Sequence, residues 1–384
     1  MLPNAFQAPQ AGRVVFAAQG FHAFVPAPLP PQIDYTPELV RLLSTADAAL
    51  SELSGIGRIL PNPHLLIDLY IRREAVLSSR IEGTRTNLSE LLAEEAGQSV
   101  SETQDDVREV RNYVTALDEG IQRLKSLPLS LRLVRELYGH LLRGVRGEHA
   151  TPGEFRRSQN WIGPAGSTPQ NAPYVPPPVE DMHHALAAWE LFLHQRGEIP
   201  DLVQCALMHE HFEAIHPFLD GNGRVGRLLI PLFLIERGRL SQPLLYLSEY
   251  IERHRDGYYR GLMRVRTHGD WVGWLHYFLD GVQWSARRAI RQAEQLLALR
   301  ARLQEQLAAL PRALPLLDAL FANPHIDVHR VKRLLDVSDP TARKTLQQLE
   351  AIGLLRETSG LQRGKHYLAD AVLAAIDDPG EEPL

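Results

Sequence analysis

Cysteine is nearly absent from this chain. A single Cys205 in 384 residues excludes an intrachain disulfide and any zinc site built on cysteines. A long apolar run is missing too. The longest, LLIPLFLI at 228–235, falls far short of the roughly 20 residues that cross a bilayer. Strong charge of one sign is also lacking: the formal net charge of −5 argues against a protein that coats nucleic acid or anionic membrane with its whole surface. The opening MLPNAFQAPQAGRVVFAAQGF has no basic region before a sustained apolar core and makes a poor signal peptide. What remains is an ordinary soluble composition, 44% apolar and 23% charged, on a chain long enough for two or three domains. A cytoplasmic protein is the expectation.

Helical periodicity dominates what is present. VPAPLPPQI (25–33) reads as an extended arm, since proline fixes φ and removes a backbone donor. Amphipathic helices follow at 37–56 and 63–83, the second ended by Gly83 as a C′ residue, and then at 102–127 and 129–145. Residues 153–178 break the pattern. Their Gly, Pro and Asn content, with strand-like SQNWIG and APYVP on either side of a turn-rich tip, predicts a β-hairpin or flap. Helices resume at 179–197, 201–216 and 224–238, and a long one covers 270–310. After Pro311 the pattern is helix, helix, helix and a short hairpin, then an acidic tail, DDPGEEPL.

The densest chemistry lies in AIHPFLDGNGRVGRLLI, 214–230. DGNG gives the backbone freedom to aim N–H groups at one point, a nest that suits an anion. The helix starting near Arg224 adds its unpaired N–H groups and the positive end of its dipole. Arg224 and Arg227 lie about 60° apart around that helix and reach one ligand together. Two guanidiniums beside a nest describe a polyphosphate site better than a carboxylate site. Asp220 is then the natural Mg²⁺ ligand, and His216 at the loop entrance suits a general base. The loop is not a Walker A motif, which needs Gly-Lys-Ser/Thr, nor a dinucleotide fingerprint, which follows a strand. The nearby HEHFEAIH (209–216) fails the His-Glu-x-x-His zinc spacing because position 213 is Glu.

HPFLDGNGRVGR (216–227) resembles the Fic (filamentation induced by cAMP) motif at every specified position. The resemblance extends to the flap segment and to LLYLSEYIERHRDGYYRGL (244–262), covering roughly residues 35–300. It implies an all-α Fic core that transfers AMP from ATP to a Ser, Thr or Tyr hydroxyl of a target protein, itself included, with Mg²⁺. By it His216 is the base and Asp220 holds the metal. Gly221, Asn222, Gly223 and Arg224 grip the α- and β-phosphates, and Arg227 orients the γ-phosphate. The flap around Asn160, Trp161, Ile162 and Gly163 would hold the target by main-chain pairing. Tyr258 and Tyr259 fall where family members close on the adenine.

SSRIEGT (78–84) resembles the family's inhibitory motif, with Ser78, Glu82 and Gly83 in place. The resemblance implies that Glu82 pairs with Arg227 and blocks the γ-phosphate, in a helix of about 64–83 ahead of the core. A glutamate at the C-terminal end of a helix meets the negative end of the dipole, which fits a partner elsewhere. The C-terminal residues resemble a winged helix-turn-helix, with SDPTARKTLQQLEAIGLL as recognition helix and Arg363 and Lys365 in the wing. DNA is a partner open to such a unit, as is protein; over 325–368 eight Lys/Arg oppose five Asp/Glu. The expected organisation is a helical segment with the inhibitory helix (1–100), a Fic core (101–310) and a winged helix (311–384), in a homodimer. Alternatives within the fold are another transferred group or AMP removal. A transcriptional regulator with a nucleotide-sensing core is the alternative outside enzymology.

Overall fold

The computed structural model describes residues 1–59, 63–98, 104–145 and 151–377, with side chains from 67 onward in the second stretch. The expected boundary at 100/101 and all but the first residue of the acidic tail lie outside these. Elements run in the order β1 (Gly12–Ala17), β2 (Phe21–Pro26), α1 (Pro37–Ile59), α2 (Pro63–Ile81), α3 (Leu88–Glu95), α4 (Gln104–Arg123), α5 (Leu131–Leu141), α6 (Val179–Leu193), α7 (Asp201–Ile215) and α8 (Asn222–Glu236). Then come α9 (Ser248–Arg253), α10 (Arg255–His268), α11 (Trp271–Gln306), α12 (Leu314–Ala322), β3 (His325–Asp327), α13 (Val328–Leu335), α14 (Asp339–Ala351), β4 (Arg356–Glu357), β5 (His366–Leu368) and α15 (Asp370–Asp377). The fold is mostly helical, as the periodicity predicts. No described helix is long and apolar enough to cross a membrane.

By contacts the chain groups into two compact units, one of Met1–Ser54 with Asn112–Ala286 and one of Gly55–Arg111 with Arg287–Leu384. The first unit is built around α7, in which every residue from Leu202 to Ile215 is buried. A helix buried all round must satisfy its polar side chains internally. Glu210 does so with Arg266 of α10 at 3.1 Å. Trp189 and Trp274 donate their indole N–H groups to the α7 carbonyls of Met208 and Ala206. Cys205 is also in α7, buried and free, with its thiol pKa pushed up by burial.

The N-terminal arm differs from its sequence reading. Residues 12–26 form an antiparallel hairpin in register from Gly12↔Pro26 to Ala17↔Phe21; Ala27 still gives its N–H to Ala11 O at 2.9 Å, and residues 28–33 form no strand. Alternation in RVVFA and FHAFV around a Gly20 turn is the reason. Phe6, Phe21 and Phe24 from this arm pack with Tyr174 and Val175 in one apolar cluster. Phe24 donates its backbone N–H to Val175 O at 2.9 Å, so the arm braces the limb of the flap that leads into α6.

In the second unit α2 ends at Ile81, and Glu82 and Gly83 form the turn beyond it. The glutamate therefore sits one residue past the last helical turn. Gly83 has φ +102°, the left-handed region that glycine enters without penalty. Ser78 is buried and Glu82 is exposed. The C-terminal part of the unit has helix α12, strand β3, helices α13 and α14 joined by residues 336–338, and a β4–β5 hairpin. Its strands form one antiparallel sheet in the order β3-β5-β4.

Candidate active site

His216 ends α7 in the left-handed region, at φ 48° and ψ 61°. For a residue with a Cβ this costs of order 1–3 kcal/mol, and such strain persists only where the surroundings over-determine it. The surroundings here can be named. Arg156 Nε and Asn160 Nδ2 both donate to the His216 carbonyl, at 3.0 and 3.1 Å. Asn160 Nδ2 also donates to Phe218 O at 2.7 Å, and the Arg156 backbone N–H to Pro217 O at 2.9 Å. Three successive carbonyls of the loop are thus held from the base of the flap.

The far end of the loop closes on itself. Asn222 accepts the Phe218 N–H at 2.9 Å and donates to Phe218 O at 2.8 Å. Gly221 stands as the N-cap of α8 with φ 75°, and its N–H bonds Asp220 Oδ1 at 2.7 Å. The helix therefore begins two residues earlier than its apolar pattern suggests, at Asn222. Arg224 and Arg227 fall in its first two turns, each 3% exposed. Asp220 turns outward, its side chain 57% exposed, with Oδ2 3.9 Å from Arg224 Nη2. Tyr138 of α5 stacks on Phe218 with ring centroids 3.7 Å apart. Its hydroxyl pKa is raised by burial and then by the Asp220 charge.

One residue holds this loop without having been singled out by sequence reasoning. Arg156 is fully buried, and besides His216 it donates to Ser158 O at 3.2 Å and Pro177 O at 2.6 Å. One planar guanidinium so ties both limbs of the flap to the loop, which a lysine's single nitrogen would not do. Burial lowers its pKa to about 10. The consecutive arginines in GEFRRS, within a Gly- and Pro-rich stretch, were the available signal. His209, from the HEHFEAIH segment, supports the start of α8 instead. Burial and the Arg227 charge lower its pKa to about 3, so the ring is neutral. Its Nδ1–H donates to Gly226 O at 3.1 Å, and Nε2 accepts from Tyr258 Oη at 2.9 Å.

The remaining expected residues divide. Tyr258 is 2% exposed with its hydroxyl on His209, in a cluster with Trp274, whereas Tyr259 is 43% exposed beneath Arg255. The pair does not act as one surface. In the flap, Ile162 and Tyr174 exchange two backbone hydrogen bonds, at 2.9 and 3.3 Å, as an isolated antiparallel bridge. Pairing goes no further along a segment carrying Pro164, Pro169, Pro173 and Pro176, each without an N–H. Trp161 and Ile162 present 40% and 37% of their surface, and Gly163 is exposed beside them. Among the described residues no group of three or more His, Cys, Asp or Glu surrounds a metal position. Asp220 stands as the one carboxylate of the 216–224 loop. That donor set suits Mg²⁺, which takes one or two carboxylates and completes its shell from substrate phosphates and water.

Solved structures share this helical architecture. A Fic family protein from Desulfovibrio desulfuricans superposes with TM-score 0.58 at 20% identity, over 89% of this chain and 98% of that one. Fic-1 from C. elegans does so at TM-score 0.50 and 20% identity, over 67% and 73%. Two family models match in succession: Fic/DOC family N-terminal at residues 40–122 and Fic/DOC family at 128–234. The chain belongs to the Fic/DOC family. Among curated relatives, a probable protein adenylyltransferase of Aquifex aeolicus is 28% identical over 190 residues, half of this chain and 56% of that protein. The protein adenylyltransferase Fic of Drosophila grimshawi is 27% identical over 159 residues, 41% of this chain and 29% of the fly protein. The matches span about half or less of these relatives' length.

Proposed function

We propose that this protein transfers AMP from ATP to a Ser, Thr or Tyr hydroxyl of a protein, and that Glu82 restrains it. The observation that carries the reading is the loop from His216 to Asn222, clamped at both ends and feeding a helix whose first two turns bury two arginines. A transfer of this kind needs positioning and charge neutralisation more than covalent chemistry. The target hydroxyl gives its proton to His216 as its oxygen attacks the α-phosphorus, and pyrophosphate leaves. Arg224, Arg227 and the N–H groups of the first turn of α8 take the phosphates. Asp220 would hold Mg²⁺, whose chemistry when bound is to neutralise phosphate charge. Asn222 acts by closing the loop, since both ends of its amide are engaged by Phe218. The exposed limb at Trp161–Gly163 takes an extended target segment.

The test compares wild type, Glu82→Gly and Glu82→Gly/His216→Ala with α-³²P-ATP and Mg²⁺, alone and in lysate. Label on protein with Glu82→Gly, lost in the double variant, is the expected result. A label that survives His216→Ala removes the histidine from the mechanism. No label under any condition, with γ-labelled ATP and other nucleotides also silent, ends the transferase reading.

A second reading concerns the C-terminal residues, which we take as a winged helix that contacts DNA. Thr341, Arg343, Lys344, Gln347 and Gln348 are all exposed along α14, side-chain types that read base edges and phosphates. Selection from random DNA duplexes should enrich one sequence, and Arg343→Ala/Gln347→Ala should abolish the enrichment. Failure to enrich any sequence would leave the unit a protein-contact module.

A further inference from the structure

A cavity lies in the first unit, lined by none of the residues of the His216 loop. Its volume is about 540 Å³, within the range of small-molecule sites. Asp181, His184, Ala185 and Ala188 of α6 form one wall, and Pro9, Gly12, Arg13 and 25–28 of the N-terminal arm another. The four α6 residues fall at i, i+3, i+4 and i+7, a single helix face. Where that face meets the hairpin it carries two alanines, so no large side chain fills the gap. The segment Val25-Pro26-Ala27-Pro28 opposite is as compact.

The cavity is not lined by apolar atoms alone. His211 of α7 borders it, 2% exposed, with Nδ1 lacking any hydrogen-bond partner. A buried ring nitrogen without a partner costs of order 1–3 kcal/mol, so an unsatisfied Nδ1 on a residue bordering a cavity suits an occupant with a polar group. At the rim Arg13 Nη2 and Asp181 Oδ1 pair at 3.1 Å. The lining is otherwise glycine, proline, valine and alanine, with His184 exposed on α6.

We infer that this cavity binds a small molecule, a compact aromatic or alicyclic alcohol. The apolar walls take the ring, and the hydroxyl meets the His211 imidazole. A hydroxyl both donates and accepts, so it matches a neutral histidine in either tautomer. A charged ligand is disfavoured at the buried end, where the one polar side chain is the neutral His211 ring; Arg13 and Asp181 pair with each other, and His184 is exposed to solvent. The inference is independent of the AMP-transfer reading.

The test uses 2-naphthol, with naphthalene as its counterpart lacking the hydroxyl, on the full chain with ¹⁵N-labelled histidine. The His211 ring signals are identified by their loss in His211→Phe. The expected result is a saturable shift of those signals with 2-naphthol, at least tenfold weaker binding of naphthalene, and loss of that difference in His211→Phe, where binding is read by the fluorescence of the probes. Ala188→Trp should fill the cavity and abolish the shift while thermal unfolding stays cooperative; Ala188→Leu serves if the larger residue unfolds the protein. No saturable shift, equal binding of the two probes, or an undiminished shift in both filled variants would each overturn the site.

Discussion

Gly226 sits between the two arginines of α8, where the helix crosses α7, and its replacement by alanine is the sharpest test of the site's construction. A Cβ at 226 would lie 2.4 Å from Glu213 Oε1 and 3.3 Å from His209 Cε1. Carbon and oxygen in ordinary contact stand about 3.3–3.6 Å apart, so something must give by roughly 1 Å. Glu213 is 6% exposed and His209 fully buried, which leaves little room for side chains alone to yield. Overpacking of this kind costs typically 1–3 kcal/mol, against which alanine returns about 1 kcal/mol in helix propensity. Net destabilisation of about 1 kcal/mol is therefore expected, a melting shift of a few degrees. Function should suffer more. Moving α8 carries Arg224 and Arg227 away from His216, and a misplacement of about 1 Å costs on the order of 100-fold in rate. The assay is label transfer from α-³²P-ATP in a Glu82→Gly background, alongside thermal melts. Glu213→Ala added to Gly226→Ala makes room for the methyl and should recover part of the rate relative to Glu213→Ala alone. A Gly226→Ala variant that melts and labels like its parent would refute the argument, as would damage indifferent to Glu213.

Three further expectations follow from the same geometry. Arg156→Lys keeps a positive charge but cannot span the carbonyls of residues 158, 177 and 216; labelling should fall more than tenfold with cooperative unfolding retained, and wild-type rates would show the fork is dispensable. Ile162→Pro removes the N–H given to Tyr174 and should raise KM for a protein target while leaving ATP affinity, read by nucleotide fluorescence, unchanged; equal KM values would detach the flap from target binding. His209 and His211 are both held neutral, with pKa values lowered to about 3 by burial. The unfolded chain binds these protons near pH 6.5 and the native state does not, so their contribution is complete above pH 6.5 and drains away toward pH 3. Urea unfolding should thus weaken steadily on acidification through that window, and His211→Phe should flatten the slope by about 1.4 kcal/mol per pH unit; an unchanged slope would mean His211 is protonated in the native protein.

Much of the site was legible because it is local. HPFLDGNGRVGR holds its turn glycines, its cations and its helix start within twelve residues, and each follows from backbone freedom or helical spacing. The helices were legible for a similar reason, apolar residues returning on one face. What escaped was held through space by backbone carbonyls. Nothing in GEFRRS says that Arg156 will reach residues 177 and 216, because a carbonyl acceptor leaves no mark in the sequence. The partner of Tyr258 was opaque for the same cause: only the fold puts His209 against its hydroxyl. The β1–β2 hairpin is a different kind of miss. Its alternation was present in RVVFA and FHAFV, overshadowed by the prolines that follow.

The solitary buried thiol in α7 has a practical meaning. With no second cysteine to compete and this one shielded and held protonated, the wild-type chain is already a blank background for thiol-directed reporters. Trp161→Cys would place a dye or spin label on the flap with no native cysteine to remove, and a second label beyond α2 would turn the question of what Glu82 does into a distance followed in real time as nucleotide is added.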